Sequence, residues 1–93
     1  MKLYNFDLLA YPRLDNSAPR TPVPSSYFDP AVGSANYQEH IDEMAYCEEL
    51  GFDGVVFNEH HYSAYGTMPS PNLIASALSQ RTKKIRIGDG MVP

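Results

Sequence analysis

Three short runs of apolar side chains, separated by two stretches of helical period, organise this chain. Leu3 to Leu9 is dominated by hydrophobic and aromatic residues, with Asn5 and Asp7 as polar interruptions, and predicts a first strand. Phe52-Asp53-Gly54-Val55-Val56-Phe57-Asn58 is a nearly continuous apolar run rich in β-branched and aromatic residues. That pattern predicts a second strand buried on both faces, as in a parallel sheet. Ile85-Arg86-Ile87-Gly88 predicts a third strand, followed by a loop from Gly88 to Met91.

The intervening segments carry a different period. Tyr37, Ile41, Met44 and Ala45, with Tyr46 to Leu50, mark the apolar side of a helix over residues 37–50, and Gln38, Glu39, Asp42, Glu43 and Glu49 mark its wet side. Asn36 is expected to cap its first turn, Glu39 to complete a capping box, and Gly51 to take the left-handed position past its end. Ser70-Pro71 opens a second helix, with a capping hydroxyl and a proline where the missing amide costs nothing. Leu73, Ile74, Ala77 and Leu78 form its expected buried face. Residues 10–35 hold five of the eight prolines, at positions 12, 19, 22, 24 and 30, and are expected to form a long Pro-rich loop. Glu59 to Pro69 is a second loop.

The order β-loop-α-β-loop-α-β implies right-handed crossovers and parallel strands. Two helices cannot cover both faces of three such strands. The chain therefore reads as the N-terminal β-α-β-α-β portion of a (β/α)8 TIM barrel, a fold of about 250 residues. Residues 1–93 would form one partial domain of it, an incomplete fragment; a free-standing three-stranded α/β unit is the alternative.

Composition narrows the partners. Seven Lys plus Arg against eleven Asp plus Glu give a net charge of −4, which offers no basic field for a nucleic acid. A single cysteine, Cys47, excludes an intramolecular disulfide and suits a reducing cytoplasmic setting, and within its helix it is most simply a small core residue. No apolar run approaches the roughly 20 residues of a membrane-spanning helix, and the N-terminus lacks the apolar region of a signal peptide.

In parallel α/β folds the loops after the C-terminal strand ends carry the chemistry. Glu59-His60-His61 lies at such an end and concentrates a carboxylate and two imidazoles, a side chain whose ordinary pKa of about 6.5 allows proton transfer near neutrality. Adjacent strand residues point to opposite faces, so at most one of the two histidines is expected at the barrel mouth. Two structural histidines at a strand end is the competing reading. The same divergence, and the lack of H-x-H or H-E-x-x-H spacing, argues against a metal site and a metallohydrolase. Gly88-x-Gly90 is too short for a phosphate-binding G-x-G-x-x-G motif, but glycines at a strand end let backbone approach a planar ligand. Tyr62, Tyr65 and Met68 could line an apolar pocket, and His40 is expected to be solvated.

Taken together, Glu49 to Val55, Asn58 to Tyr62, Gly66, Pro69-Ser70-Pro71 and Arg81 to Gly88 closely resemble, in matching order over about half the chain, the N-terminal region of the luciferase-like flavin monooxygenases. Phe28-Asp29-Pro30 and Gly33 resemble members with a long first loop. The resemblance implies a barrel that binds reduced FMN at its C-terminal mouth and uses dioxygen to oxygenate a small organic substrate. It implies His60 as the acid/base or hydrogen-bonding group beside the flavin, with Glu59 and His61 in support. It also implies flavin contact at Gly90 and Met91, where the family's non-proline cis peptide falls. The run from Asp89 to Pro93 departs there from the longer small and apolar run of relatives. Phosphate-binding residues would lie beyond Pro93. A flavin reductase supplying reduced FMN and a homo-oligomer of the full-length protein are the partners this implies. Two other expectations stay open: an oxidoreductase that uses the deazaflavin coenzyme F420 for hydride transfer, and a non-catalytic flavin-binding partner.

Overall fold

The computed structural model of the protein describes residues 1–13, 26, 28–61 and 66–91. Tyr62 and Tyr65, residues 14–25 and 27 of the Pro-rich loop, and Val92-Pro93 lie outside the described residues. The elements follow the order β1 (Tyr4–Asp7), α1 (Pro30–Glu49), β2 (Gly54–Asn58), α2 (Pro71–Ser79) and β3 (Arg86–Met91). The strands form one sheet in the order β1-β2-β3, both pairings parallel, with Tyr4 opposite Gly54 and Gly54 opposite Arg86.

Helix α1 starts seven residues before the sequence places it. Asp29 is its cap, its carboxylate accepting from the Ala31 amide at 2.9 Å, and Pro30 stands in the first turn. The proline that reads as a loop signal is harmless there, because first-turn amides have no helical partner. Asn36 is consequently interior to the helix, buried, and donates from Nδ2 to the Ala10 carbonyl at 3.1 Å instead of capping. Glu39 has no capping-box role. At the other end Gly51 does take the left-handed conformation, with a φ of 88°.

Ile41, Met44 and Cys47 bury one stripe of α1, while Tyr46 and Leu50 are exposed. In α2 the buried stripe runs through Pro71, Ile74, Ala75 and Leu78, the i, i+3, i+4, i+7 pattern. Leu73 falls off that stripe and is 71% exposed, and Ala77 is exposed as well, contrary to the sequence expectation. Ser70 precedes α2 but makes no side-chain capping bond.

Val55 and Phe57 of β2 are fully buried against this helix layer, in a core with Leu9, Met44, Met68, Leu78 and Ile85. Alternation places Gly54, Val56 and Asn58 on the opposite face. Strand β1 has its polar residues on the helix side: Asn5 hydrogen-bonds the Cys47 thiol, and Asp7 meets His40. Its aromatic residues Tyr4 and Phe6 lie on the other face, about half exposed. Glu48, near the end of α1, ties the helices to β3. Its carboxylate accepts from the amides of Lys83, Lys84 and Ile85 at 2.9, 2.7 and 2.9 Å.

Strand β3 runs through Met91, so the residues expected to form a loop after Gly88 continue the sheet. Pairing to β2 supplies the reason: Val56 is opposite Gly88, Phe57 opposite Asp89, and the ladder resumes with Asn58 opposite Met91. The register shift skips Gly90. A glycine absorbs the extra residue of such a bulge without ending the strand.

Candidate functional site

The C-terminal ends of β2 and β3 meet at Asn58 and Met91, and Glu59, His60 and His61 follow directly. The His60 amide donates to the Met68 carbonyl at 2.9 Å, which closes the loop after β2 back on its own base. Next to it, Ala10 and Gly66 pair as an antiparallel bridge. The loops after β1 and β2 are thereby locked to each other.

That lock centres on Leu9, whose φ of 50° is left-handed, a conformation costing a non-glycine residue about 1–3 kcal/mol. Three bonds hold it. The Leu9 amide donates to Asp7 Oδ1 at 2.8 Å, and the Leu9 carbonyl accepts from the Thr67 amide at 3.0 Å and the Thr67 hydroxyl at 2.6 Å. Helix α1 braces the same platform through Tyr37, whose hydroxyl donates to the Thr67 carbonyl at 2.6 Å. Burial raises the Tyr37 phenol above its ordinary pKa, and the Thr67 bond only partly offsets this, so the phenol stays protonated as that donor requires.

On this platform the three titratable residues separate by parity. Glu59 and His61, two residues apart, come together with His61 Nε2 2.8 Å from Glu59 Oε2, both partly exposed. His60 instead lays its ring on Gly66: a Cβ at that glycine would stand 2.8 Å from His60 Cδ2. The two histidines therefore diverge. Among the described residues no group of three or more His, Cys, Asp or Glu side chains could hold a metal ion. Gly90 and Met91 lie inside β3, with Gly90 at the bulge and Met91 opposite Asn58. Met68 is fully buried in the core.

Several participating residues escape a reading of the sequence. His40, expected to be solvated, is partly buried with Nδ1 2.7 Å from Asp7 Oδ2. Asn58 is only 5% exposed, yet among the described residues neither its Oδ1 nor its Nδ2 has a hydrogen-bond partner. Its one sequence signal is that it is a polar side chain ending an otherwise apolar buried strand. An apolar recess of about 320 Å³ lies on the helix side, lined by Tyr37, Met68, Leu73 and Ile74 among others. Among the described residues its titratable group is the Tyr37 phenol, already committed to the Thr67 carbonyl.

Comparison with known proteins places these residues in context. The family profile of the luciferase-like monooxygenases matches residues 16–93. An uncharacterised protein of Sinorhizobium fredii is 39% identical over 59 residues, covering 60% of this chain and 17% of that protein. The 4-hydroxyprotoasukamycin monooxygenase of Streptomyces nodosus subsp. asukaensis is 34% identical over 52 residues, 56% of this chain and 14% of the enzyme. The alkanal monooxygenase alpha chain of Photorhabdus laumondii is 38% identical over 45 residues, 48% of this chain and 12% of that chain. No solved structure matches. The aligned segments thus span less than a fifth of the length of these relatives.

Proposed function

The chain belongs to the luciferase-like monooxygenase family, and from this membership we propose that it supplies the first three strands of a (β/α)8 barrel that oxygenates a small organic substrate with reduced FMN and dioxygen. The observation that carries the reading is the position of Glu59, His60 and His61, at the C-terminal end of the central strand of a parallel sheet. The half-exposed Tyr4 and Phe6 support the barrel. They lie on the sheet face away from the helices, where further strands of a closed barrel would cover them.

The residues present suit a planar heteroaromatic group. Asn58 offers a buried carboxamide with no partner among the described residues, and the Gly90 bulge beside it lets backbone approach a ring closely. Bound reduced FMN would supply the electrons that activate dioxygen. His60 gives or takes a proton at a ring nitrogen, held in place by its amide bond to Met68 and its ring contact with Gly66. Glu59 fixes the ring of His61 through the 2.8 Å contact and keeps that flank of the site polar. Gly90 and Met91 contribute the backbone wall against the cofactor. A flavin reductase as the source of reduced FMN, and self-association of the full-length protein, belong to the same reading.

The test supplies full-length protein with FMN, NADH and a flavin reductase, and follows oxygen uptake with a panel of small organic compounds. Substrate-dependent incorporation of label from isotopically labelled dioxygen into product is the expected result. Hydride transfer from reduced F420 without oxygen uptake would replace FMN by the deazaflavin. Redox inactivity with both cofactors would leave a non-catalytic flavin-binding role.

A further inference from the structure

Among the described residues Asn58 is the buried side chain whose polar atoms have no partner. A buried carboxamide carries two donors and an acceptor, and leaving such groups without partners costs about 1–3 kcal/mol. Asn58 is 95% buried with both Oδ1 and Nδ2 unpaired among the described residues, whereas Asn36, equally buried, is paired with the Ala10 carbonyl. The position is not a packing accident at an edge. It ends the central strand, on the face turned from the helix core, directly before Glu59 and opposite the bulge that skips Gly90.

We propose that Asn58 is a ligand-binding residue whose carboxamide reads a lactam or imide edge, a planar group with a donor and an acceptor side by side. The inference rests on the FMN reading for its particular ligand, because the pyrimidine-dione edge of the flavin ring is such a group. With FMN bound, Asn58 Oδ1 would accept from the ring N3–H and Nδ2 would donate to a carbonyl oxygen next to it. The pair left unpartnered among the described residues is satisfied in the complex. An apolar residue of similar size at this position improves the free protein and harms the bound one, a trade typical of binding sites.

Asn58→Leu in the full-length protein tests this with two readouts that do not depend on turnover. The dissociation constant of FMN, followed by fluorescence quenching, is expected to rise about 10- to 100-fold, while the thermal midpoint of the free protein stays equal or rises. A flavin methylated at N3 should bind wild type as poorly as FMN binds the variant, and the variant should not discriminate between the two flavins. Equal FMN affinity in wild type and variant overturns the inference and leaves the proposed activity standing. So does a variant whose free form is destabilised with affinity unchanged, because Asn58 would then serve the fold through a bound water. Failure of wild type to bind FMN at all overturns both. Asn58→Gln, which keeps the carboxamide but moves it by one methylene, separates misfolding from lost recognition: it should fold like wild type and discriminate against the N3-methyl flavin more weakly.

Discussion

His40 Nδ1 lies 2.7 Å from Asp7 Oδ2, joining the middle of α1 to the last residue of β1. The other Asp7 oxygen accepts from the Leu9 amide at 2.8 Å. One carboxylate thus fixes the helix and the left-handed turn from which the loop after β1 departs. Asp7→Ala removes both bonds and is expected to cost about 1–3 kcal/mol of unfolding free energy. Asp7→Asn can keep the bond to Leu9 and should recover part of that loss. Urea unfolding of the full-length protein compares them, and identical losses would show that the Leu9 bond contributes nothing.

Glu48 gives a pH signature. Three backbone amides donate to its carboxylate and hold its pKa below the ordinary 4.5. A carboxyl whose folded pKa is depressed stabilises the fold above the unfolded value, and that contribution disappears as pH falls through the folded one. Thermal midpoints measured from about pH 5 downward should therefore fall more steeply in wild type than in Glu48→Gln. Parallel curves would remove Glu48 from the acid response.

Gly66 is required by its neighbour. A methyl group there would press on the His60 ring, 2.8 Å from Cδ2. Gly66→Ala should cost about 1–3 kcal/mol and displace His60, lowering turnover of the full-length enzyme more than FMN affinity. Unchanged stability and turnover would mean that the ring contact has no role.

The site residues separate in kinetics. His60→Ala should reduce turnover about 10²- to 10⁴-fold, the range for loss of a positioned proton donor or acceptor. Glu59→Gln, which weakens the contact to His61, should cost markedly less. A larger loss in Glu59→Gln than in His60→Ala would exchange their roles.

Burial is the first cause that raises the Cys47 thiol above its usual pKa of 9.0, with the carboxylates of Asp7 and Glu43 adding to it and the Asn5 hydrogen bond opposing. Iodoacetamide at pH 8 should label Cys47 slowly in folded protein and fast in urea, because the thiolate is the nucleophile. Rapid labelling of the native protein would contradict this.

The apolar run of residues 52–58 by itself points to the buried strand observed over Gly54–Asn58, Gly51 to the turn that precedes it, and the order of elements to a parallel α/β sheet. The motif around Glu59, His60 and His61 points to the family that the comparisons show. These features are local, set by periodicity, β-branching and backbone freedom, so they can be read along the chain. The start of α1 could be read two ways, because Pro30 is a loop signal alone and a first-turn signal once Asp29 caps the helix. The length of β3 could not be read, since Gly88 and Gly90 stay in the strand only because β2 offers a ladder to pair with. Asp7 with His40, 33 residues apart, and Thr67 with Leu9, 58 apart, are meetings of distant segments. The sequence names those side chains, and only the packing of α1 and the two loops against one sheet decides which of them meet and that Asn58, buried in the same sheet, meets none among the described residues.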